Sequence, residues 1–207
     1  LGECKSASDV VAIMTYSAGA VRVKQDFTAD RDQLRAVINV LADGEDKNGD
    51  GVADFEDFSS AFGQNDAEFN VFSTDRQLAA LQTAFTMLRP FPEQKSLVYF
   101  ASNLRLNGTD NNAQLRATIN AAVRANIQIF PVDARGLVAV MPDPSRPTQG
   151  GMGLFTGATS GALVSNFQRS QDTLYALAAD TGGKAMLDNN NLAAGIVQAQ
   201  QSITSYY

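Results

Sequence analysis

The chain contains no histidine. That absence removes the usual general base of Ser and Cys hydrolases, the commonest zinc ligand and the side chain that ordinarily titrates near neutral pH. Cysteine is almost as scarce: Cys4 stands alone, so no disulfide can form within the chain, and cysteine usage does not decide the redox compartment. No apolar run approaches the roughly 20 residues that a membrane-spanning helix needs. The residues after Leu1 do not read as the charged and apolar regions of a secretory signal, and a start without methionine reads as a processed or incomplete N-terminus. Basic residues are also in deficit, 16 Lys and Arg against 22 Asp and Glu, for a formal net charge of −6. That balance disfavours a nucleic-acid backbone or an anionic membrane as partner and suits cations and basic protein surfaces.

What remains is substantial. A chain of 207 residues that is 44% hydrophobic can bury one sizeable α/β core and is not a disordered polymer. A single domain over 1–207 is therefore the first expectation. Residues 10–16, VVAIMTY, form an apolar β-rich run. In 20–27, Val21, Val23 and Gln25 alternate with Arg22, Lys24 and Asp26, and Ser17-Ala18-Gly19 reads as a hairpin turn between the two strands. Leu34, Val37, Ile38 and Leu41 then fall at helical spacing, with Thr28 or Asp30 as the N-cap.

Thr74-Asp75-Arg76-Gln77 matches a capping box, followed by Leu78, Leu81, Phe85 and Leu88 on one helical face, with Pro90 and Pro92 as terminators. Next come LVYFA at 97–101, a helix carrying Leu115, Ile119, Ala122 and Val123, and the strand IQIFPVD at 127–133. Strand and helix alternate, which predicts a parallel sheet with helices on its faces. A Gly-, Ser-, Thr- and Pro-rich stretch at about 136–169 reads as a long loop. A helix around Gln171–Asp180 closed by Gly182-Gly183, a short strand at Lys184–Leu187 and a helix bearing Leu192, Ile196, Ala199 and Ile203 complete the chain.

The sharpest chemical signal is Asp46-Lys47-Asn48-Gly49-Asp50-Gly51-Val52-Ala53-Asp54-Phe55-Glu56-Asp57. Oxygen-bearing side chains occupy loop positions 1, 3, 5, 9 and 12, with glycine at 6, the pattern of an EF-hand-type calcium loop. Ca²⁺ takes six to eight hard oxygens, and alternate side chains wrap it only if the backbone turns sharply at the sixth position. The ligands would be Asp46, Asn48, Asp50, Asp54 and Asp57, with Val52 giving its carbonyl. Asp57 stands where a bidentate Glu is usual, and Ala53 where a β-branched residue pairs with a second loop, so a lone, weak site of roughly 10⁻⁴–10⁻³ M is expected. Read without the ion, the same residues make an acidic turn.

Asp9-Val10-Val11-Ala12-Ile13-Met14-Thr15-Tyr16-Ser17 and Val21-Arg22-Val23-Lys24-Gln25-Asp26-Phe27-Thr28 resemble the second and third strands of a von Willebrand factor A domain. KSLVYFASNL, NIQIFPVDARGL and LYALAADTGGKAMLD resemble its later strands and helix, as in the VWFA-related proteins of bacteria, many of them exported. The resemblance implies a doubly wound, mostly parallel sheet with helices on both faces. In this chain the first strand is missing and a calcium-loop insertion falls at about 43–72.

The family's metal-ion-dependent adhesion site uses a DxSxS motif at the end of that first strand, and the motif is absent here. Thr74 is either the family's second site residue or a simple N-cap. Ser102-Asn103 stand where the family has an Asp after its fourth strand, so Mg²⁺ at an adhesion-type site is not expected. In that fold the missing strand is central, and its absence leaves neighbouring strands with unpaired edges and marks the chain as a fragment.

Asp133-Ala134-Arg135-Gly136 lies at the carboxyl end of a parallel strand, where open α/β sheets place ligand crevices. With Thr74, Ser102 and Asn103, Asp133 and Arg135 form a candidate partner-binding edge; the alternative is an Asp–Arg pair that organises a turn. Ser17 and Ser160 have no histidine to activate them, Lys95-Ser96 is no Ser–Lys catalytic signature, and Gly150-Gly151-Met152-Gly153 lacks the Lys of a phosphate loop. The expectation is a non-enzymatic, calcium-binding, exported adhesion-type module that takes a protein or glycan partner. A structural subunit of an envelope assembly and a carboxylate-dependent hydrolase are the alternatives.

Overall fold

The computed structural model describes residues 10–17, 20–43, 67–101, 104, 106, 108–134, 158–187 and 197. The fold is mixed α/β, with one antiparallel and one parallel sheet among the described residues. The chain divides into two units, Leu1–Asn70 and Val71–Tyr207.

In the first unit, β1 (Val11–Ser17) and β2 (Ala20–Thr28) pair antiparallel, and Ser17 lies opposite Ala20 as the two-residue connection requires. β2 is the longer strand, and the register slips twice, between Val11 and Ile13 and between Ile13 and Met14. A bulge of this kind switches which face a residue occupies. The alternation expected along β2 therefore breaks: Val23 is exposed and Lys24 half-buried.

α1 (Arg31–Asp43) follows. Asp30 caps it, its carboxylate accepting from the backbone N–H of Asp32 at 2.9 Å and Gln33 at 3.2 Å, while the Thr28 hydroxyl accepts from Asp30 N–H at 3.0 Å. Only the first residue of the expected apolar stripe, Leu34, is fully buried; Ile38 and Leu41 are exposed.

The second unit holds the main core. α2 (Ala67–Leu88) buries Leu78, Leu81, Phe85 and Leu88 as the spacing predicts. β3 (Lys95–Ala101) and β4 (Ile127–Asp133) pair parallel in register, Lys95 opposite Ile127 through Ala101 opposite Asp133, and are joined by α3 (Gly108–Arg124). Leu115, Ile119 and Ala122 of α3 are buried, whereas Val123 is 56% exposed, one position off the stripe. Asn126, at φ 54°, makes the left-handed turn from α3 into β4, a conformation asparagine tolerates better than most residues.

α4 (Ala158–Thr181) packs on β4 and occupies part of the stretch expected to be loop. It ends in a Schellman motif: Gly182 N–H donates to the Ala179 carbonyl, and Gly183 N–H to that of Ala178 at 2.9 Å. Gly182 has φ 78°, and a Cβ on Gly183 would sit 1.9 Å from the Ile129 carbonyl oxygen, so helix and strand meet only because residue 183 has no side chain. The chain then returns beside β4, where Met186 pairs parallel with Val132.

That third pairing is short for a visible reason. Alternate residues of β4 present their backbone groups to this side. Met186 N–H donates to the Pro131 carbonyl and Asp133 N–H to that of Met186, but Pro131 has no N–H to give. The Ile129 N–H is taken by the Thr181 hydroxyl at 3.1 Å. The last helix expected from Leu192 to Ile203 lies, apart from Val197, outside the described residues.

Candidate functional site

The parallel strands end at Ala101 and Asp133, tied by a final bond from Ala134 N–H to the Ala101 carbonyl at 2.8 Å. Of the expected edge residues, Asp133 is where the sequence places it, at the carboxyl end of β4, but only 1% exposed. A carboxylate so buried acts first on its immediate surroundings and contacts a large partner only if neighbouring segments move.

Thr74 departs from expectation. Because α2 starts at Ala67, Thr74 lies about two turns inside the helix rather than before it. It is 2% exposed and extends the buried stripe of Leu78, Leu81 and Phe85 by one turn toward the N-terminus. Neither an N-cap nor a residue ahead of a helix is found there, because the residues upstream of Thr74 continue the helical turn. Ser102, Asn103 and Arg135 lie outside the described residues, as do all six calcium-loop residues, Asp46, Asn48, Asp50, Val52, Asp54 and Asp57. Among the described residues no three Asp, Glu or Cys side chains are grouped to hold a metal.

The structure adds residues that pattern reading passed over. Asn111, near the start of α3, is fully buried and donates its side-chain N–H to the Asp75 carboxylate at 2.6 Å. Seven residues further along both helices, Gln82 donates to the Thr118 hydroxyl at 2.8 Å, and Thr118 donates to the Gln114 carbonyl. α2 and α3 thus run side by side in one direction, joined by two polar rungs two turns apart. In the sequence only the equal offset of 36 residues between the partners of each rung hints at this.

Ser170 on α4 is fully buried, and its hydroxyl has no partner among the described residues. Thr181 fixes α4 at the level of Ile129. Eleven residues back along the helix is about 16 Å at 1.5 Å per residue, and four residues along β4 about 13 Å, so Ser170 stands near the level of Asp133. The carboxyl end of the sheet therefore collects Asp133, Ser170, Asn111 with Asp75, and Thr74, each on a regular element.

The opposite, amino end differs in chemistry. Lys95 donates to the carbonyls of Phe91 and Glu93, both at 2.7 Å. Burial pushes its ammonium below the usual lysine range, with the nearby Glu93 carboxylate opposing that shift. A shallow cleft of about 250 Å³ at this end is lined by Gln94, Asn126, Gln128, Asp180 and Thr181 over Val123 and Ile127. It has two helix C-termini on its rim and little apolar floor, unlike the mostly apolar pockets that hold small molecules.

No family model, no curated protein and no solved structure matches the chain. Among the described residues no helix is long and apolar enough to cross a membrane.

Proposed function

We propose that this protein is a calcium-binding, non-catalytic interaction module of an exported protein, with a doubly wound α/β architecture like that of von Willebrand factor A domains. It engages a protein or glycan partner at the carboxyl edge of its parallel sheet. The observation that carries this reading is the placement of Asp133, Asn111 and Asp75 on rigid elements at that edge. A buried acidic and amide framework under a binding edge orients the segments that leave from it, here those that follow Ala101 and Asp133. Histidine is lacking, and Ser170, whose hydroxyl is buried at this edge, has no base bonded to it among the described residues, which favours binding over acyl transfer. Ca²⁺ at Asp46–Asp57 rigidifies the insertion rather than performing chemistry.

The test is a calorimetric titration of the metal-stripped protein with Ca²⁺ and then Mg²⁺, repeated on Asp50→Ala. One calcium site, lost in the variant, is the expected result. No heat at millimolar Ca²⁺ would overturn the calcium assignment, and a site preferring Mg²⁺ would place the metal elsewhere than in this loop.

A further inference from the structure

The cleft of about 250 Å³ at the amino end of the parallel sheet lies where α3 and α4 end and β4 begins, with Gln94 of the segment ahead of β3 on its wall. Backbone bonds hold these walls in place. Asn126, at φ 54°, donates its N–H to the Val123 carbonyl, and its own carbonyl accepts from Lys95 N–H at 2.9 Å. On the other side, the Schellman motif and the Thr181 hydroxyl on Ile129 N–H tie the end of α4 to β4.

Four polar side chains line the cleft with hydrogen-bonding capacity to spare. Among the described residues, the Gln94 and Gln128 amides and the Asp180 carboxylate bond to nothing, and the Asn126 amide reaches only the Pro92 carbonyl, at 3.5 Å. The Thr181 hydroxyl, by contrast, is already engaged by Ile129 and Leu177. Each amide both donates and accepts, whereas the carboxylate only accepts.

That set excludes most ligand classes in turn. Two helix C-termini and Asp180 meet here, so an anion is repelled. A hard metal ion finds one carboxylate where it needs several oxygens. A lone cation gains little from a single exposed carboxylate in water. An apolar ligand finds only Val123 as exposed apolar wall, since Ile127 is 2% exposed. A neutral ligand with several hydroxyls fits: each hydroxyl donates to Asp180 or an amide oxygen and accepts from an amide N–H, and an apolar ring face meets Val123.

We propose that this cleft is a saccharide subsite, which holds one pyranose ring of a glycan. Its volume is below the roughly 300–1,000 Å³ of pockets that enclose drug-sized molecules, and its shallow form leaves the rest of a glycan chain in solvent. The site lies at the opposite end of the sheet from the partner-binding edge proposed above and stands independently of it.

The test is an amide-resolved NMR titration of the full chain with glucose, galactose, mannose and N-acetylglucosamine. One ring in an open site of this size binds with a Kd on the order of 1–10 mM. At least one of these sugars should give saturable shifts at Gln94, Asn126, Gln128 and Asp180. Asp180→Ala and Gln94→Ala, both at exposed positions, should each weaken that binding about fivefold. Asp172→Ala, about 12 Å further back along α4, should leave it unchanged. The spectrum of each variant also reports its folding, and if Asp180→Ala disturbs the helix end, Gln94→Ala decides. No saturable shift with any of the four sugars well above that concentration range would overturn the proposal, as would shifts that the cleft variants leave unchanged. Tighter saturation of the same amides by arginine amide than by every sugar would overturn it too, and would make a basic peptide side chain the occupant.

Discussion

Replacing Thr181 by valine removes one hydroxyl and keeps the branched shape of the side chain. The hydroxyl accepts from Ile129 N–H at 3.1 Å and donates to the Leu177 carbonyl at 2.7 Å. The Leu177 carbonyl lies four residues before Thr181 in α4 and keeps its helical partner, the Thr181 N–H. Ile129 N–H has no substitute, since the residue is fully buried and faces a side of β4 where Pro131 and Met186 leave it no strand partner. One orphaned buried donor costs about 1–3 kcal/mol. With a urea dependence near 2 kcal/mol per M, the unfolding midpoint should fall by about 0.5–1.5 M.

Thr181→Ser is the control. It keeps the hydroxyl and loses a largely buried methyl group worth about 0.8 kcal/mol. The ordering expected in urea melts followed by circular dichroism is wild type, then serine, then valine, with Ile129 amide exchange accelerated only in the valine variant. A valine variant within about 0.5 kcal/mol of wild type, or less destabilised than the serine one, would refute the hydrogen-bond account and leave Thr181 as a packing residue.

Gly183→Ala should cost about 3 kcal/mol or more, because its Cβ meets backbone at Ile129 rather than a movable side chain. Gly182→Ala, strained only by its φ of 78°, should cost about 1 kcal/mol in the same melts; equal costs at the two glycines would count against the close approach. A double-mutant cycle on Gln82→Met and Thr118→Val should give a coupling of about 0.5–1.5 kcal/mol, and additive effects would show that the rung between α2 and α3 contributes nothing. Burial holds the Lys95 ammonium below its usual range, so just beneath that range the unfolded chain binds more protons than the folded one. This group therefore makes folding more favourable as pH rises through that window. Comparing stability from pH 8 to 10 in wild type and Lys95→Met tests this, and equal slopes would remove Lys95 as the cause.

Local patterns carried much of the fold. The β1–β2 hairpin, the strand at Ile127–Asp133, the Asp30 cap and the Gly182-Gly183 helix end were legible because each depends on a few neighbouring residues: β-branched runs, an acceptor ahead of a helix, a glycine where φ must be positive. The Asp46–Asp57 pattern reads as a calcium loop on equally local grounds, since the ligands of such a loop are close in sequence, and it lies outside the described residues. Tertiary structure decided the rest. It extended α2 seven residues upstream of Thr74 and turned an apparent cap into a buried helical residue; it also slipped the register of β2, which exposed Val23. Asn111 with Asp75 and Thr181 on Ile129 depend on residues 36 and 52 positions apart meeting across packed surfaces. Composition and periodicity describe one element at a time, whereas burial of a polar group and the lining of a cleft are set by where the other elements come to lie.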